Sequence, residues 1–250
     1  MVSVQWSVVS ENPSITAFWP LTTVAMHIRP LLLGHRGARA EKSIPENTLA
    51  SFDLALAQGC DGFEFDVRLA ADGQAAICHD AEIRGLKIAE TSGEKLALPV
   101  LREVLTRYQE TAFLDIELKV PDLETITVEL LRKFPPARGF VVSSFLPEVL
   151  RAMHGLDASI PLGLICETRA EFERWPQLPV EYVIPHHALA RQSLISEIKG
   201  AGKKVFVWTV NLPADIKRFS KWGVDGIISD DPRLLAKTLA PLPRKQIAGS

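Results

Sequence analysis

The chain has 250 residues, of which 47% are hydrophobic and 23% are charged, and its formal net charge at pH 7 is −2. This length suits one large α/β domain or two small ones, and the composition is ordinary for a globular protein. Because the charge is balanced, the chain offers no basic surface for a polyanion, and we expect no nucleic-acid partner.

The cysteines and the two termini bear on where the protein works. Cys60, Cys78 and Cys166 show no CxxC spacing, which favours free buried thiols in a reducing compartment and predicts a cytoplasmic location. No apolar run approaches the roughly 18 residues of a membrane-spanning helix, so no stable insertion into a membrane is expected. Residues 1–30 make a poor signal peptide and are interpreted as an N-terminal tail of unknown role. Residues 241–250 are interpreted as a C-terminal tail.

Apolar runs of strand length alternate with helical patterns after residue 30. The predicted strands cover residues 31–34, 62–67, 112–118, 139–143, 161–165, 182–184, 204–209 and 226–229. The predicted helices cover residues 46–59, 102–109, 123–134, 147–154, 170–175, 190–201, 213–222 and 232–239. This alternation predicts a single (β/α)8 TIM barrel over residues 31–240, with a short insertion after the second strand. An open doubly wound sheet is the structural alternative.

Ionisable side chains stand where the first three predicted strands end. In a TIM barrel the active site lies at the carboxyl ends of the strands, so polar residues there are catalytic candidates. Glu64 and Asp66 are two residues apart in one strand, so their side chains point to the same face. A short return strand after residue 74 is expected to bring His79 to the same rim. The converging set is His35, Arg36, Glu64, Asp66, His79, Glu117 and Lys119.

Three carboxylates in this set predict a metal site. Glu64, Asp66 and Glu117 form an oxygen-rich cluster of the kind that holds a hard divalent cation, Mg²⁺ or Ca²⁺. Without a cation, their mutual repulsion would raise the pKa of at least one of them.

The remaining charged residues suit phosphate chemistry. Arg36 and Lys119 supply positive charge for an anion, and His35 and His79 are a natural acid and base pair near neutral pH. Cleavage of a phosphate ester needs an activated hydroxyl, stabilised charge on the phosphoryl oxygens and a proton for the leaving group. The set therefore favours a phosphodiesterase.

Other polar and aromatic residues near the strand ends have a structural and a functional interpretation. Asn47 and Glu46 are interpreted mainly as residues that cap the first helix, with a second role in orienting the metal ligands. Trp208 is either a wall of the glycerol site or a core tryptophan. Asp230 and Asp231 are expected to cap the last helix.

The sequence also resembles the glycerophosphodiester phosphodiesterase family at these residues. The matching motifs are "GHRG" at 34–37, "PENTLASF" at 45–52, "GCDGFEFDVRLAADGQAAICHD" at 59–80, "DIELK" at 115–119, "VSSF" at 142–145, "VWTVN" at 207–211 and "GVDGIISDDP" at 223–232. They occur in the family's order. The insertion after the second histidine, which helps to wall the substrate pocket, is shorter here than is common in the family.

The resemblance implies a barrel enzyme that hydrolyses a glycerophosphodiester to an alcohol and sn-glycerol 3-phosphate. It implies that His35 and His79 are the acid and base pair and that Arg36 and Lys119 contact the phosphate. It also implies a divalent metal on Glu64, Asp66 and Glu117. Two alternatives stay open: a lyase-type transfer that leaves a cyclic phosphate, and a non-catalytic barrel that binds phosphate or metal. The sequence does not define the oligomeric state.

Overall fold

The computed structural model describes residues 29–240. The predicted tails, residues 1–30 and 241–250, lie outside the described residues apart from Arg29 and Pro30. Among the helices of residues 29–240, none combines the length and the hydropathy that a bilayer-spanning segment needs.

Eight parallel strands close into a barrel, as the sequence predicts. Each strand pairs with the next one along the chain, and the last strand pairs with the first, so the open-sheet alternative is wrong. The strands are β1 Leu31–His35, β2 Gly62–Leu69, β3 Phe113–Leu118, β4 Phe140–Ser144, β5 Leu162–Cys166, β6 Tyr182–Pro185, β7 Lys204–Val207 and β8 Gly226–Ser229.

Helices connect successive strands and surround the barrel. The eight predicted helices are present, and one further helical turn, Gly93–Leu96, lies in the insertion after β2. The helices are Leu49–Ala57, Gly93–Leu96, Leu101–Tyr108, Glu124–Lys133, Pro147–Leu156, Arg169–Phe172, Gln192–Gly200, Pro213–Lys221 and Pro232–Leu239, with 3₁₀ turns at Ile88–Glu90 and Trp175–Gln177.

Large apolar side chains fill the barrel near the amino ends of its strands. Tyr182 begins β6, and its ring centroid lies 5.0 Å from that of Phe206, which lies 5.8 Å from that of Phe113 at the start of β3. Gly226 leaves room for this layer, because a Cβ atom there would lie 2.5 Å from the Phe206 ring. The floor of the barrel is therefore packed, and the opposite end is left for polar groups.

The insertion after β2 forms a small unit with its own apolar core. Its first strand, Ala75–Ile77, runs antiparallel to β2 and returns the chain to the carboxyl end of the barrel, as expected for His79. A two-stranded hairpin of Glu82–Ile83 and Leu86–Lys87 follows. The unit packs on a separate cluster of buried residues, namely Ala70, Ala76, Cys78, Ile88 and Leu96.

Candidate active site

A cavity of about 490 Å³ opens at the carboxyl ends of the barrel strands. Charged residues from β1, β2 and β3 line one side, and mainly apolar residues from the other strands line the opposite side. The lining residues are His35, Arg36, Glu64, His79, Asp115, Glu117, Lys119, Phe145, Ile165, Glu167, Glu171, Ile184, Trp208 and Ile228.

Three buried carboxylates meet below this cavity, as predicted. One oxygen from each of Glu64, Asp66 and Glu117 lies within 4.8 Å of the others. Glu64 and Asp66 share a face of β2, and Glu117 pairs directly with Asp66 in the neighbouring strand β3. The period of two residues in a strand and the parallel register together assemble this cluster.

Burial and mutual repulsion make ionisation of this cluster unfavourable. Burial, followed by the charges of Asp66 and Glu117, raises the pKa of Glu64 well above its usual value. Burial and the Asp66 charge raise the pKa of Glu117 to about 8. Burial alone would also raise the pKa of Asp66, but Lys119 and Arg36 outweigh it and hold that pKa below its ordinary value. Asp66 is therefore the carboxylate that stays ionised most readily.

Arg36 and Lys119 lie against the cluster from the cavity side. The Lys119 Nζ atom is 2.7 Å from Glu117 Oε1 and 3.3 Å from Asp66 Oδ1. The Arg36 Nε atom is 3.2 Å from Asp66 Oδ2, and its backbone N–H donates to Glu64 Oε2. Both cations can face an anion in the cavity while they contact the acidic cluster.

Asp115 is a fourth buried carboxyl group that the sequence analysis missed. It lies two residues before Glu117 on the same face of β3, so the period-two rule that paired Glu64 with Asp66 would have found it. Burial raises its pKa to about 7, and the Ser143 hydroxyl donates to Asp115 Oδ1 at 2.6 Å.

The donor set fits a hard divalent cation. When all three clustered carboxyl groups are ionised, they carry three negative charges against the two positive charges of Arg36 and Lys119. Among the described residues, Glu64 Oε1 and Asp115 Oδ2 are buried oxygens with no hydrogen-bond partner. Buried carboxylate oxygens without partners are costly, and a divalent cation bound at the cluster would remove that cost for Glu64.

His35 is held by a carboxylate that does not belong to the acidic cluster. Its Nδ1 atom is 2.7 Å from Asp230 Oδ1, just beyond the end of β8, and its Nε2 atom is 3.9 Å from Glu64 Oε2. The prediction that Asp230 caps the last helix is wrong, because Asp231 occupies the cap and accepts from the Leu234 N–H. Asp230 follows a barrel strand directly, as His35 ends one, and that position was the available signal.

Asp230 is fixed by further hydrogen bonds. The Asn211 amide donates to Asp230 Oδ2 at 2.7 Å, and Arg39 lies 3.3 Å from Asp230 Oδ1. Burial would raise the pKa of Asp230, but the contacts with His35, Asn211 and Arg39 hold it far below its usual value. Asp230 is therefore an ionised, oriented partner of the imidazole.

His79 reaches the cavity from the insertion, as predicted. Its Nδ1 atom is 2.7 Å from Asp80 Oδ1, so the Nδ1 atoms of His79 and His35 both contact an aspartate. Burial lowers the pKa of His79, although Asp80 opposes the shift. Asp80 is exposed, whereas Asp230 is largely covered, so the two dyads differ in solvent access.

Asn47 does not cap the first helix, but its contact with Asp66 agrees with a role in orienting a metal ligand. Thr48 caps the first helix, since it has extended backbone and its hydroxyl accepts from the Ser51 N–H. Asn47 has φ 57°, a left-handed conformation that asparagine tolerates, and its amide donates to Asp66 Oδ2 at 2.8 Å. Glu46 contacts the guanidinium groups of Arg36 and Arg39 instead of the acidic cluster.

Trp208 lies on the apolar wall of the cavity and also takes part in packing. Its indole N–H donates to the Ile184 carbonyl, and its ring lies 5.7 Å from the Phe145 ring in an edge-on arrangement. Both interpretations of this tryptophan thus agree with its position.

Comparison with known proteins identifies the sequence relationship. The model of a family described as the glycerophosphoryl diester phosphodiesterase family matches residues 35–91 and 85–234. A glycerophosphodiester phosphodiesterase from Caldanaerobacter subterraneus subsp. tengcongensis is 30% identical over 247 residues, which cover 87% of this chain and 99% of the relative.

Solved structures of similar proteins share the fold. A phosphodiesterase from Oleispira antarctica, in complex with the product sn-glycerol-3-phosphate, has a TM-score of 0.76 and 28% identity over 85% of this chain and 98% of its own. A glycerophosphodiester phosphodiesterase from Thermotoga maritima has a TM-score of 0.73 and 25% identity, with coverage of 83% and 97%.

Proposed function

This chain belongs to the glycerophosphoryl diester phosphodiesterase family, and on that premise we propose that it hydrolyses glycerophosphodiesters to an alcohol and sn-glycerol 3-phosphate. One observation carries the proposal: two histidines, two positively charged side chains and three buried carboxylates line or underlie a single cavity at the carboxyl end of the barrel. The product named for the Oleispira antarctica relative agrees with it.

The acidic cluster is the proposed holder of a divalent cation, Mg²⁺ or Ca²⁺. Glu64, Asp66 and Glu117 would bind it, and the Asn47 amide keeps Asp66 oriented toward the cluster. When bound, such a cation neutralises charge on phosphoryl oxygens and acidifies a hydroxyl group. The oxygen donors of the cluster indicate a cation of the hard class.

Arg36 and Lys119 are the proposed phosphate contacts. Both side chains are largely covered, so their charges act on a substrate anion with little screening by solvent. The Arg36 guanidinium is held by Glu46 on one side and lies beside Asp66 on the other. A guanidinium fixed in this way offers a preformed fork to a phosphate. Trp208 is the proposed apolar wall for the glycerol carbons.

His35 and His79 are the proposed acid and base. One imidazole takes the proton of the attacking hydroxyl, and the other donates a proton to the oxygen of the departing alcohol. The contact with Asp230 directs the Nδ1 proton of His35 toward the carboxylate and leaves Nε2 free for proton transfer. Asp80 has the same relation to His79. In the net reaction, water supplies one oxygen to the phosphate and one proton to the alcohol.

The lyase-type outcome is the second candidate, because a substrate hydroxyl could attack in place of water and leave a cyclic phosphate. Phosphorus NMR of the products from glycerophosphocholine separates an open phosphate monoester from a cyclic diester. Hydrolysis predicts sn-glycerol 3-phosphate as the product, with activity abolished by EDTA and restored by Mg²⁺ or Ca²⁺. A lasting cyclic product would reject hydrolysis, and full activity in excess EDTA would reject the metal role.

The cellular location belongs to the same proposal. All three cysteines are free and buried, which agrees with the cytoplasmic location predicted from their spacing.

A further inference from the structure

Two carboxylates, Glu167 and Glu171, line the cavity on the side opposite the histidines and the metal-binding cluster. Both follow β5 and stand at the carboxyl end of the barrel. A carboxylate in a cavity that accepts a phosphate anion weakens binding through like-charge repulsion, unless something compensates for it. Their presence therefore calls for a structural or a functional reason.

Glu171 has a structural reason. Its Oε2 atom accepts from the backbone N–H groups of Glu167 and Thr168, each at 2.9 Å, and the Thr168 hydroxyl accepts from the Glu171 N–H in return. This is a capping box at the start of the helix Arg169–Phe172. The Glu171 carboxylate therefore accepts hydrogen bonds from the backbone, and the helix cap accounts for its presence.

Glu167 has no comparable partner. Its side chain is exposed, and within residues 29–240 it makes no hydrogen bond or ion pair. The Glu167 charge acts on His186, because it raises the pKa of that imidazole, which burial and His187 lower. His186 lies against Trp208, with ring centroids 5.1 Å apart. Glu167 is thus a free negative charge at the outer edge of the apolar wall.

The wall itself offers few neutral hydrogen-bonding side chains. It consists of Phe145, Ile165, Ile184, Trp208 and Ile228, and the only side-chain donor among them, the Trp208 indole, is bound to the Ile184 carbonyl. The insertion contributes only His79 to the described lining of the cavity. A polyhydroxylic alcohol placed here would leave hydroxyl groups without partners, which is costly.

We propose that the departing alcohol of the preferred substrate is cationic, of the choline or ethanolamine class, and that Glu167 selects it. This inference rests on the proposed function of the same cavity. An ammonium group with an apolar surface suits an aromatic and aliphatic wall that ends in a carboxylate. The substrate phosphate lies toward Arg36 and Lys119, so the dipolar substrate matches the charge of the cavity at both ends.

The test compares two substrates that differ in the charge of the alcohol. Steady-state kinetics are measured with glycerophosphocholine and glycerophosphoinositol on the wild type, Glu167→Gln, Glu167→Lys and Glu173→Gln. Glu173 is the matched control, because it is exposed on the same segment, pairs with Arg169 at 2.8 Å and does not line the cavity. Glu173→Gln removes the same charge outside the cavity.

The wild type is expected to favour glycerophosphocholine in kcat/KM. Glu167→Gln should lower the ratio of the two kcat/KM values about threefold to tenfold, mainly through KM, as expected for loss of one partly screened charge contact. Glu167→Lys should lower the ratio further, and Glu173→Gln should leave it unchanged. A variant that only folds less completely would have kcat/KM reduced by the same factor for both substrates.

Three results would overturn the inference: no preference in the wild type, an unchanged ratio in both Glu167 variants, or an equal fall in the ratio for Glu173→Gln. Hydrolysis of both substrates with an unaltered ratio would reject the role of Glu167 and leave the proposed function standing. A wild-type protein that hydrolyses neither substrate would reject the proposed function, and the inference with it.

Discussion

The Nδ1 atom of His35 lies 2.7 Å from Asp230 Oδ1, although 195 residues separate the two along the chain. Closure of the barrel causes this contact, because β1 pairs with β8 and both strands end at the same rim. The carboxylate stays ionised at ordinary pH, since its pKa lies far below the usual value. His35 is thereby oriented with Nε2 toward the acidic cluster.

Replacing this carboxylate by an amide tests the pairing. Asp230→Asn keeps the size of the side chain but removes the charge that stabilises the imidazolium form of His35. We expect kcat to fall by about one to two orders of magnitude, because the imidazole loses the anionic partner that orients it for proton transfer. The measurement is kcat and kcat/KM for glycerophosphocholine.

Asp231→Asn is the matched control for this variant. Asp231 caps the helix Pro232–Leu239, and asparagine is an equally good cap, so activity should be retained. Unaltered kcat in Asp230→Asn, or the same fall in Asp231→Asn, would show that Asp230 does not act through His35.

Loss of one carboxylate from the acidic cluster should weaken metal binding. Asp66→Asn removes the ligand that ionises most readily while it keeps the volume, so the fold should persist and divalent affinity should fall by at least about tenfold. Isothermal titration calorimetry with Ca²⁺ and Mg²⁺ measures this loss. Glu90→Gln, which removes an exposed carboxylate paired with Lys87, should bind as the wild type does. Wild-type affinity in Asp66→Asn would rule out the site.

The thermal stability of the metal-free protein should fall as the pH rises from about 4.5 to about 8. The pKa of Glu117 rises from its ordinary 4.5 to about 8 in the folded protein, and that of Asp115 rises from 3.8 to about 7. The folded state therefore binds these protons more tightly than the unfolded state. This stabilisation is complete below the ordinary pKa and is lost as the pH passes the folded-state pKa.

A divalent cation should reverse that loss, because it replaces the protons on the carboxylates. We expect Ca²⁺ or Mg²⁺ to raise Tm more at pH 8 than at pH 6 in scanning calorimetry. Glu117→Gln should reduce both the pH dependence and the response to the cation. An equal rise in Tm at both pH values would contradict the coupling between protons and metal.

The shape of the Arg36 side chain should matter as well as its charge. Arg36→Lys keeps the positive charge but loses the planar fork that contacts Glu46 and faces the cavity. We expect kcat/KM to fall by about tenfold or more. Arg132→Lys, an exposed guanidinium paired with Asp157, should have wild-type kinetics and serves as the control. Unchanged kcat/KM in Arg36→Lys would exclude a bidentate phosphate clamp.

The two histidines should separate in a test of the leaving group. With p-nitrophenolate as the leaving group, protonation contributes little, so loss of the general acid should harm this substrate much less than glycerophosphocholine. Loss of the general base should harm both substrates alike. We expect His35→Ala and His79→Ala to show these two opposite patterns in kcat/KM. The same pattern in both variants, or near-full activity of either with glycerophosphocholine, would reject acid-base catalysis by two histidines.

The sequence by itself determined the barrel and most of the set of residues at its mouth. Strand-length apolar runs and helical spacing are local properties, so the eight strands and eight helices could be identified along the chain. The pairing of Glu64 with Asp66 also follows from the local period of two residues. His35 and His79 were found because each comes where a strand ends.

Only the tertiary structure shows which polar side chains form hydrogen bonds with these residues. From the sequence, Asp230 and Asn47 are interpreted as helix caps, because an Asp or Asn before a predicted helix indicates a cap whether or not a distant partner exists. Closure of the barrel brings Asp230 into contact with His35, and the left-handed conformation of Asn47 lets its side chain bind Asp66. Contacts of this kind depend on strand pairing between distant segments, which no local pattern of residues specifies.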